Sequence, residues 1–424
     1  MRSGMRARLG SMMFLEYFIW GAWYVTLATW LTRTLHLSGQ QIGLAAGTTA
    51  VGAMIAPFAV GIVADRFFST ERVLAVLHLA GAVFLLMASL QTSFVSIYSL
   101  LLLYCLCYMP TLALTNSLAF RQMTSPKQEF GPIRVLGTAG WIAAGLLVGT
   151  LRLESTARPL QIASAASLVM AIFSLTLPHT PPLARESRAG FAKGRGTFQT
   201  IFPRESYALL SSRPVVVFLL ASLLICIPLQ FYYALTNLFL NEAGVVNAAG
   251  KMTGGQMSEL GCMLLIPWFF RRLGVKGMLA AGMSAWVLRY VLFAFGGAPG
   301  HVWMLWFGIL LHGICYDFFF VTGQIYIDLK SPPSLRAAAQ GGVTFITYGV
   351  GMFAGSWLCG AIVEHFSTVT AGAAPTHDWR AIWLTAAFTS AAVLILFVLT
   401  FFDEDRVSVR KAQVTHAIPL EAPL

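Results

Sequence analysis

The chain has 424 residues, of which 57% are hydrophobic and only 11% charged, with a formal net charge of +11 and a mean hydropathy of +0.72. Soluble proteins are about a quarter charged, and this much apolar surface in water would form very large exposed patches, which excludes the soluble classes. Nucleic acid is excluded as the partner of the positive charge, because the basic residues are shared out among alternate loops, the asymmetry that membrane insertion imposes.

Crossing the hydrocarbon takes about 20 apolar residues in a helix. The sequence predicts twelve such spans, near 10–31, 40–64, 72–92, 94–119, 132–152, 159–178, 214–240, 253–272, 276–297, 300–329, 336–363 and 379–402. The first is preceded by Arg2, Arg6 and Arg8. It is long, aromatic and carries Glu16, so it reads as a retained span rather than a cleaved signal. Loops after even-numbered spans hold Arg66, Arg72, Arg121, Lys127, the cluster Arg185–Arg213, Arg271, Arg272, Lys276, Lys330 and Arg336. The opposite loops hold only Arg33, Arg152, Arg158, Lys251 and Arg380. Both termini are therefore expected in the cytoplasm, with the chain in the cytoplasmic (inner) membrane.

The expected fold class is an all-α membrane protein: twelve transmembrane helices in two six-helix bundles. The N-terminal bundle is 1–178, the cytoplasmic linker 179–212 (rich in Pro, Arg, Gly and Ser), the C-terminal bundle 213–402 and the cytoplasmic tail 403–424. Each half repeats positive charge at the cytoplasmic end of its second helix, GIVADRF (61–67) and PWFFRRLGVK (267–276). Cysteines 105, 107, 226, 262, 315 and 359 have no metal or disulfide spacing and read as small packing residues. No metal site or cofactor is expected, and monomer is the default.

Charges within spans decide what such a protein handles, since each costs about 2.5–3.5 kcal/mol on insertion scales. Five stand out: Glu16, Arg134, Glu259, Arg289 and Asp317. Glu16 precedes Trp20, Trp23 and Trp30, a stripe suited to stacking a planar solute or to plain packing. In GPIRVLGTAGW (131–141), Arg134, Thr138 and Trp141 share one helical face at i, i+4 and i+7, which marks the first place to look for a substrate path. In IPLQFYYALTN (227–237), Pro228 interrupts the helix ladder and Gln230, Tyr233 and Asn237 share a face. Amides there can read base edges or sugar hydroxyls, or can join helices to one another. In TGGQMSELG (253–261), Gln256 and Glu259 share a face, and Gly254, Gly255 and Gly261 allow close approach. In LLHGICYDFFFVTGQ (310–324), His312 and Tyr316 are i, i+4 neighbours and Asp317 lies beside them among Phe318, Phe319 and Phe320. Asp317 reads either as a proton-carrying carboxylate or as one ion-paired with Arg134 or Arg289; Arg289 reads as structural. No nucleotide loop, metalloprotease motif or nucleophile elbow is present, so the chain is not read as an enzyme, and ion or solute gradients must supply the energy.

These segments, with WGAWYVTL (20–27), YMPTLALTN (108–116), LTLPHTP (175–181), AWVLRYVLFAFG (285–296), LRAAAQG (335–341) and DWRAIWL (378–384), resemble the nucleoside:proton symporters of the major facilitator superfamily. The resemblance runs from the first span to the twelfth. It implies a midplane cavity between two bundles and proton-driven nucleoside uptake by alternating access, with nucleoside, protons and lipid bilayer as partners. The family's binding roles fall on Arg134, Thr138, Gln230, Gln256, Glu259 and Tyr316, with Asp317 as proton-linked carboxylate. Trp141, Tyr233, Tyr316 and Phe320 are then expected to stack on the base, and His312 to line the site. Glu259 and Glu16 are the further candidates for proton coupling. Tyr233, His312 and Glu16 depart from the family's Asn, Tyr and Gln, which bears on base selectivity and on the protonation site. The alternatives are a proton symporter of another small solute such as a sugar, separable by competition for uridine uptake, and a solute sensor that shows no flux.

Overall fold

Apolar runs of this length leave backbone amides no partner but one another, and helices satisfy them within a single segment. The computed structural model describes residues 3–66, 68–182, 210–298, 300–332, 335–369 and 374–402, without the side chains of 56–66, 126–128 and 337. The side chains of the GIVADRF motif, residues 183–209 of the expected linker and the tail from 403 fall outside this set. Apart from a two-stranded pairing of Ser367–Thr368 with Thr376–His377, the regular elements described are helical.

Helix α1 (Ser3–Trp23) passes through a 3₁₀ turn (Tyr24–Thr26) into α2 (Leu27–Arg33). Then come α3 (Gly39–Arg66), α4 (Thr70–Ser89), α5 (Phe94–Arg121), α6 (Pro126–Thr150) and α7 (Arg158–Ser174). Beyond the linker lie α8 (Arg213–Glu242) and α9 (Ala248–Gly296). The segment 302–330 is α10 (Val302–Leu310), α11 (His312–Tyr316), a π-helical turn (Asp317–Val321) and α12 (Thr322–Lys330). A second π-helical stretch (Phe345–Gly351) joins α13 (Arg336–Thr344) to α14 (Met352–His365), and α15 is Trp379–Thr400. Most of these ranges fall on the predicted spans, but α1 and α6 begin well before theirs, at Ser3 and Pro126, and the spans expected at 253–272 and 276–297 form the single element α9. Among the described residues, eight helices are long and apolar enough to cross a membrane, and α7 is apolar but shorter.

Two local details follow from chemistry. At about 1.5 Å per residue, the 49 residues of α9 would run about 73 Å unbroken, more than twice a hydrocarbon core of about 30 Å. The break falls at Gly274 (φ 64°, ψ −177°), a backbone conformation suited to glycine, among Arg271, Arg272 and Lys276. Pro228, by contrast, removes one ladder bond without ending α8, and the Tyr290 hydroxyl donates to its carbonyl.

By contacts the chain divides into two compact units. The first comprises Met1–Thr197, Tyr233–Thr253 and Val369–Pro375; the second comprises Phe198–Tyr232, Gly254–Thr368 and Thr376–Leu424. In the first, α1 packs on α6 and α7, α4 on α5 and α7, and α3 on α5. A side chain at Gly140 would collide with the Phe14 carbonyl, so α1 and α6 touch backbone to backbone there. Glu154, 5% exposed, accepts the Ala249 N–H at the start of α9 and lies 3.4 Å from Asn237 Nδ2. Asn237 Oδ1 in turn accepts from Thr29 at 2.6 Å. In the second unit, Phe218 stacks on Phe319 and meets Tyr326 edge-on, while Tyr290 and Trp383 lie 9° from parallel with centroids 5.7 Å apart.

Because Glu154 meets both the Ala249 N–H and the Asn237 amide, Glu154→Ala is expected to destabilise the protein by about 1–3 kcal/mol. A lowered midpoint in thermal denaturation of the detergent-purified chain checks this.

Candidate functional site

The predicted site residues fall into both units: Glu16, Arg134, Thr138, Trp141 and Tyr233 in the first, and Gln230, Gln256, Glu259, His312, Tyr316, Asp317 and Phe320 in the second.

In the first unit, Arg134, Thr138 and Trp141 are half-buried together, while the adjacent Val135 and Leu136 are exposed. That is the pattern the i, i+4, i+7 spacing requires when one side of α6 is polar and the other apolar. The Arg134 guanidinium sits 4.0 Å from the centre of the Tyr17 ring. Trp141 meets Trp20 edge-on at 5.5 Å, and Trp20 also contacts Tyr108 (6.1 Å) and Tyr24 (5.8 Å). Tyr24 lies 6.1 Å from Tyr233, which extends the aromatic frame to α8. Edge-on and tilted rings leave faces that a planar solute can stack against. The tryptophan stripe expected from Glu16 onward divides: Trp20 joins this frame, whereas Trp23 is buried edge-on to Tyr104 at 5.5 Å. Glu16 itself points into the bundle rather than along the frame, held by Thr111 (2.6 Å) and His78 (3.1 Å).

In the second unit, Glu259 is partly exposed and its Oε2 lies 3.9 Å from His312 Nε2. His312 stacks on Tyr232 (5.0 Å, 20°), and the Arg289 guanidinium lies 4.2 Å from the same tyrosine's centre. Arg289 Nε donates to the Gly308 carbonyl at 2.9 Å. This fully buried cation thus touches backbone and ring, while its Nη1 and Nη2 have no hydrogen-bond partner among the described residues. Asp317 is fully buried, and neither of its carboxylate oxygens has a hydrogen-bond partner among the described residues. The Asp317–Arg289 ion pair weighed from the sequence is not formed. Asp317 instead opens the π-helical turn, the kind of local widening that recurs at functional sites. One residue earlier, Tyr316 shares a hydroxyl–hydroxyl hydrogen bond with Tyr348 and packs on Phe320 at 5.1 Å. Gln230 is buried and Gln256 half-buried; Gly355 comes close enough to Gln230 that a side chain there would lie 3.0 Å from its Cβ.

Gly313 sets the spacing between these groups. A Cβ there would lie 2.6 Å from the Ser258 carbonyl oxygen and 2.8 Å from the Glu259 nitrogen, so α11 lies directly on α9. Of the three glycines picked out in α9, Gly255 is similarly tight, at 3.0 Å from the His312 Cβ, while Gly261 faces open space. Sequence reasoning missed Tyr348 and Tyr232, which carry no charge to draw attention, and His78, a lone imidazole in an apolar helix.

A full negative charge buried with neither donor nor cation beside it is costly, by several kcal/mol in order of magnitude. A proton on Asp317 removes that cost. The second unit therefore offers proton chemistry beside an aromatic and amide-lined group of side chains, and the first offers a cation within an aromatic frame.

Comparison with known proteins gives the same direction. Residues 3–406 match the family model described as "Nucleoside H+ symporter". The chain is 39% identical over 409 residues to the "Putative nucleoside transporter YegT" of Escherichia coli, covering 94% of each chain. It is 32% identical over 426 residues to the "Xanthosine permease" of the same organism, covering 96% of this chain and 99% of that one. The crystal structure of the nucleoside transporter NupG superposes with a TM-score of 0.83 at 30% identity, covering 94% of this chain and 100% of that one.

Gly313→Val is expected to push α11 off α9 and to destabilise the protein by about 1–3 kcal/mol, whereas Gly261→Ala should be tolerated. Thermal denaturation of the two variants side by side is the check.

Proposed function

The chain belongs to the nucleoside H+ symporter family, and on that premise we propose that the two groups of side chains are its nucleoside- and proton-handling parts. It is a transporter, not an enzyme, and couples nucleoside uptake to protons. Twelve transmembrane helices form two six-helix bundles, 1–178 and 213–402, joined by a cytoplasmic linker, in a monomer whose two termini face the cytoplasm of an inner membrane. The first group contributes Arg134 and Thr138 as polar contacts and Trp141 and Tyr233 as stacking rings. The second contributes Gln256 and Glu259 to ribose hydroxyls, Gln230 to the base edge, and Tyr316 and Phe320 to the base face, with His312 fixed beside Glu259.

The observation that carries this reading is the buried Asp317 carboxylate without a hydrogen-bond partner among the described residues, one position after Tyr316. A proton and a nucleoside that both favour the same state of the carrier are coupled by that shared preference. The cost of an ionised Asp317 opposes return of the half-loaded protein, and Glu259 is the second carboxylate able to take part. The driving force is adequate: one proton moved through 100 mV is worth about 2.3 kcal/mol, close to fifty-fold accumulation.

Asp317→Asn is expected to abolish proton-driven accumulation of uridine in proteoliposomes while counterflow stays detectable; full concentrative uptake by that variant would remove Asp317 from the mechanism. Trp141→Ala is expected to raise the KM for uridine about tenfold through loss of one stacking face, with nucleosides but not sugars competing for uptake.

A further inference from the structure

Away from the rings and amides assigned above, the first unit contains a second carboxylate in a very different setting. Glu16 and His78 are both buried, on α1 and α4, with Glu16 Oε2 3.1 Å from His78 Nε2. Glu16 Oε1 lies 2.6 Å from the Thr111 hydroxyl of α5, which also lies 2.6 Å from the Tyr108 carbonyl. His78 Nδ1 lies 3.3 Å from the Ser167 hydroxyl of α7, which also lies 2.9 Å from the His78 carbonyl. Each hydroxyl has one hydrogen and two places to put it.

That arrangement accommodates two protonation states without leaving a polar atom of the pair unmet. With imidazole and carboxylate, the ring hydrogen sits on Nε2 and points at Glu16, while Ser167 donates to Nδ1. When a proton arrives, an N–H bond forms at Nδ1, and Ser167 rotates to accept from it and to donate to the His78 carbonyl. Glu16 stays a carboxylate, now paired with an imidazolium. The proton leaves by the reverse rotation, and no other bond changes. A pair serving only to hold helices together has no need of a hydroxyl placed both to donate to the ring and to accept from it.

The other ionisable or polar groups of the packed helices are consistent with a local switch. From α6 comes Arg134, held over Tyr17 of α1. From α5 come Tyr104 and Tyr108, which stack at 5.4 Å. Arg8 of α1 is tied to the Thr176 carbonyl. Glu71, at the start of α4, is tied to His179. The pair also has a physical connection to the aromatic frame: the Tyr108 hydroxyl donates to the Glu16 carbonyl at 2.6 Å, and the Tyr108 ring contacts both His78 and Trp20 at 6.1 Å.

We propose that Glu16 and His78 form a second proton-binding site of the carrier, so that two protons, one here and one at Asp317, accompany each nucleoside. This rests on the symport reading above. The test is the coupling ratio of the full chain in proteoliposomes, measured as a reversal potential with uridine. The unsubstituted protein is expected to give two protons per uridine, and Glu16→Gln and His78→Gln one each, with counterflow still measurable. For a one-unit pH step at zero voltage, accumulation then falls from about a hundredfold to about tenfold. A ratio of one in the unsubstituted protein, or an unchanged ratio in both variants, overturns the proposal. If the unsubstituted protein moves neither uridine nor any other nucleoside of a purine and pyrimidine panel, it is the symport reading that has failed. Should both variants misfold, Ser167→Ala, which removes the hydroxyl that accepts from a protonated His78, is measured in the same way: a ratio of one is expected, and an unchanged ratio of two overturns the proposal.

Discussion

The cost of burying a carboxylate in an oily bundle is the constraint from which the rest follows. Among the described residues two carboxylates, Glu16 and Asp317, are fully buried, and they meet that cost in opposite ways. Glu16 is surrounded by an imidazole and a hydroxyl contributed by separate helices, so its charge is met inside the fold. Asp317 has no such arrangement among the described residues, and its neighbours are Phe318, Phe319 and Phe320. The first is built to tolerate charge. The second leaves a full charge without a hydrogen-bond partner among the described residues, which makes its ionised form costly.

Around these two groups, helices are held close by residues with no side chain and kept apart by rings. Gly140 brings α6 onto α1 beneath the Arg134 face, and Gly313 brings α11 onto α9 beneath Glu259 and His312. The rings then fix orientation. Tyr232 is shared between the Arg289 cation and the His312 imidazole, so a charge that never reaches Glu259 still governs how His312 is presented to it.

Much of this was legible in the sequence, for a physical reason: lipid forces long apolar helices, and a charge inside one is expensive enough to signal its own importance. Most of the helix ranges and the shared face of Arg134, Thr138 and Trp141 came from those two rules, whereas Asp317 could be read either as a proton carrier or as an ion-paired carboxylate until its surroundings were described. What was not legible depends on which helix lies beside which. His78 became notable only once α4 was seen to lay it against Glu16 of α1, and Glu154 only once its short loop was seen to meet Asn237 and Ala249. Tyr348 is an unremarkable residue until its hydroxyl meets that of Tyr316. The tryptophan stripe could be read as a stacking surface or as plain packing, and only the neighbouring helices separate its members: Trp20 meets Trp141, and Trp23 meets Tyr104.

The same reasoning applies to the widened turn that begins at Asp317. A π-helical turn holds one more residue than the 3.6 of an α-turn, so everything after Val321 is offset by one position, or about 100° of rotation, from where a single regular period would put it. Counting by threes and fours from His312 and Tyr316 through to Gln324 therefore names the wrong side of the helix. A crosslink, spin label or spectroscopic probe planned for the segment 322–330 has to be placed by the offset register, and the stretch Phe345–Gly351 imposes a like correction on α14.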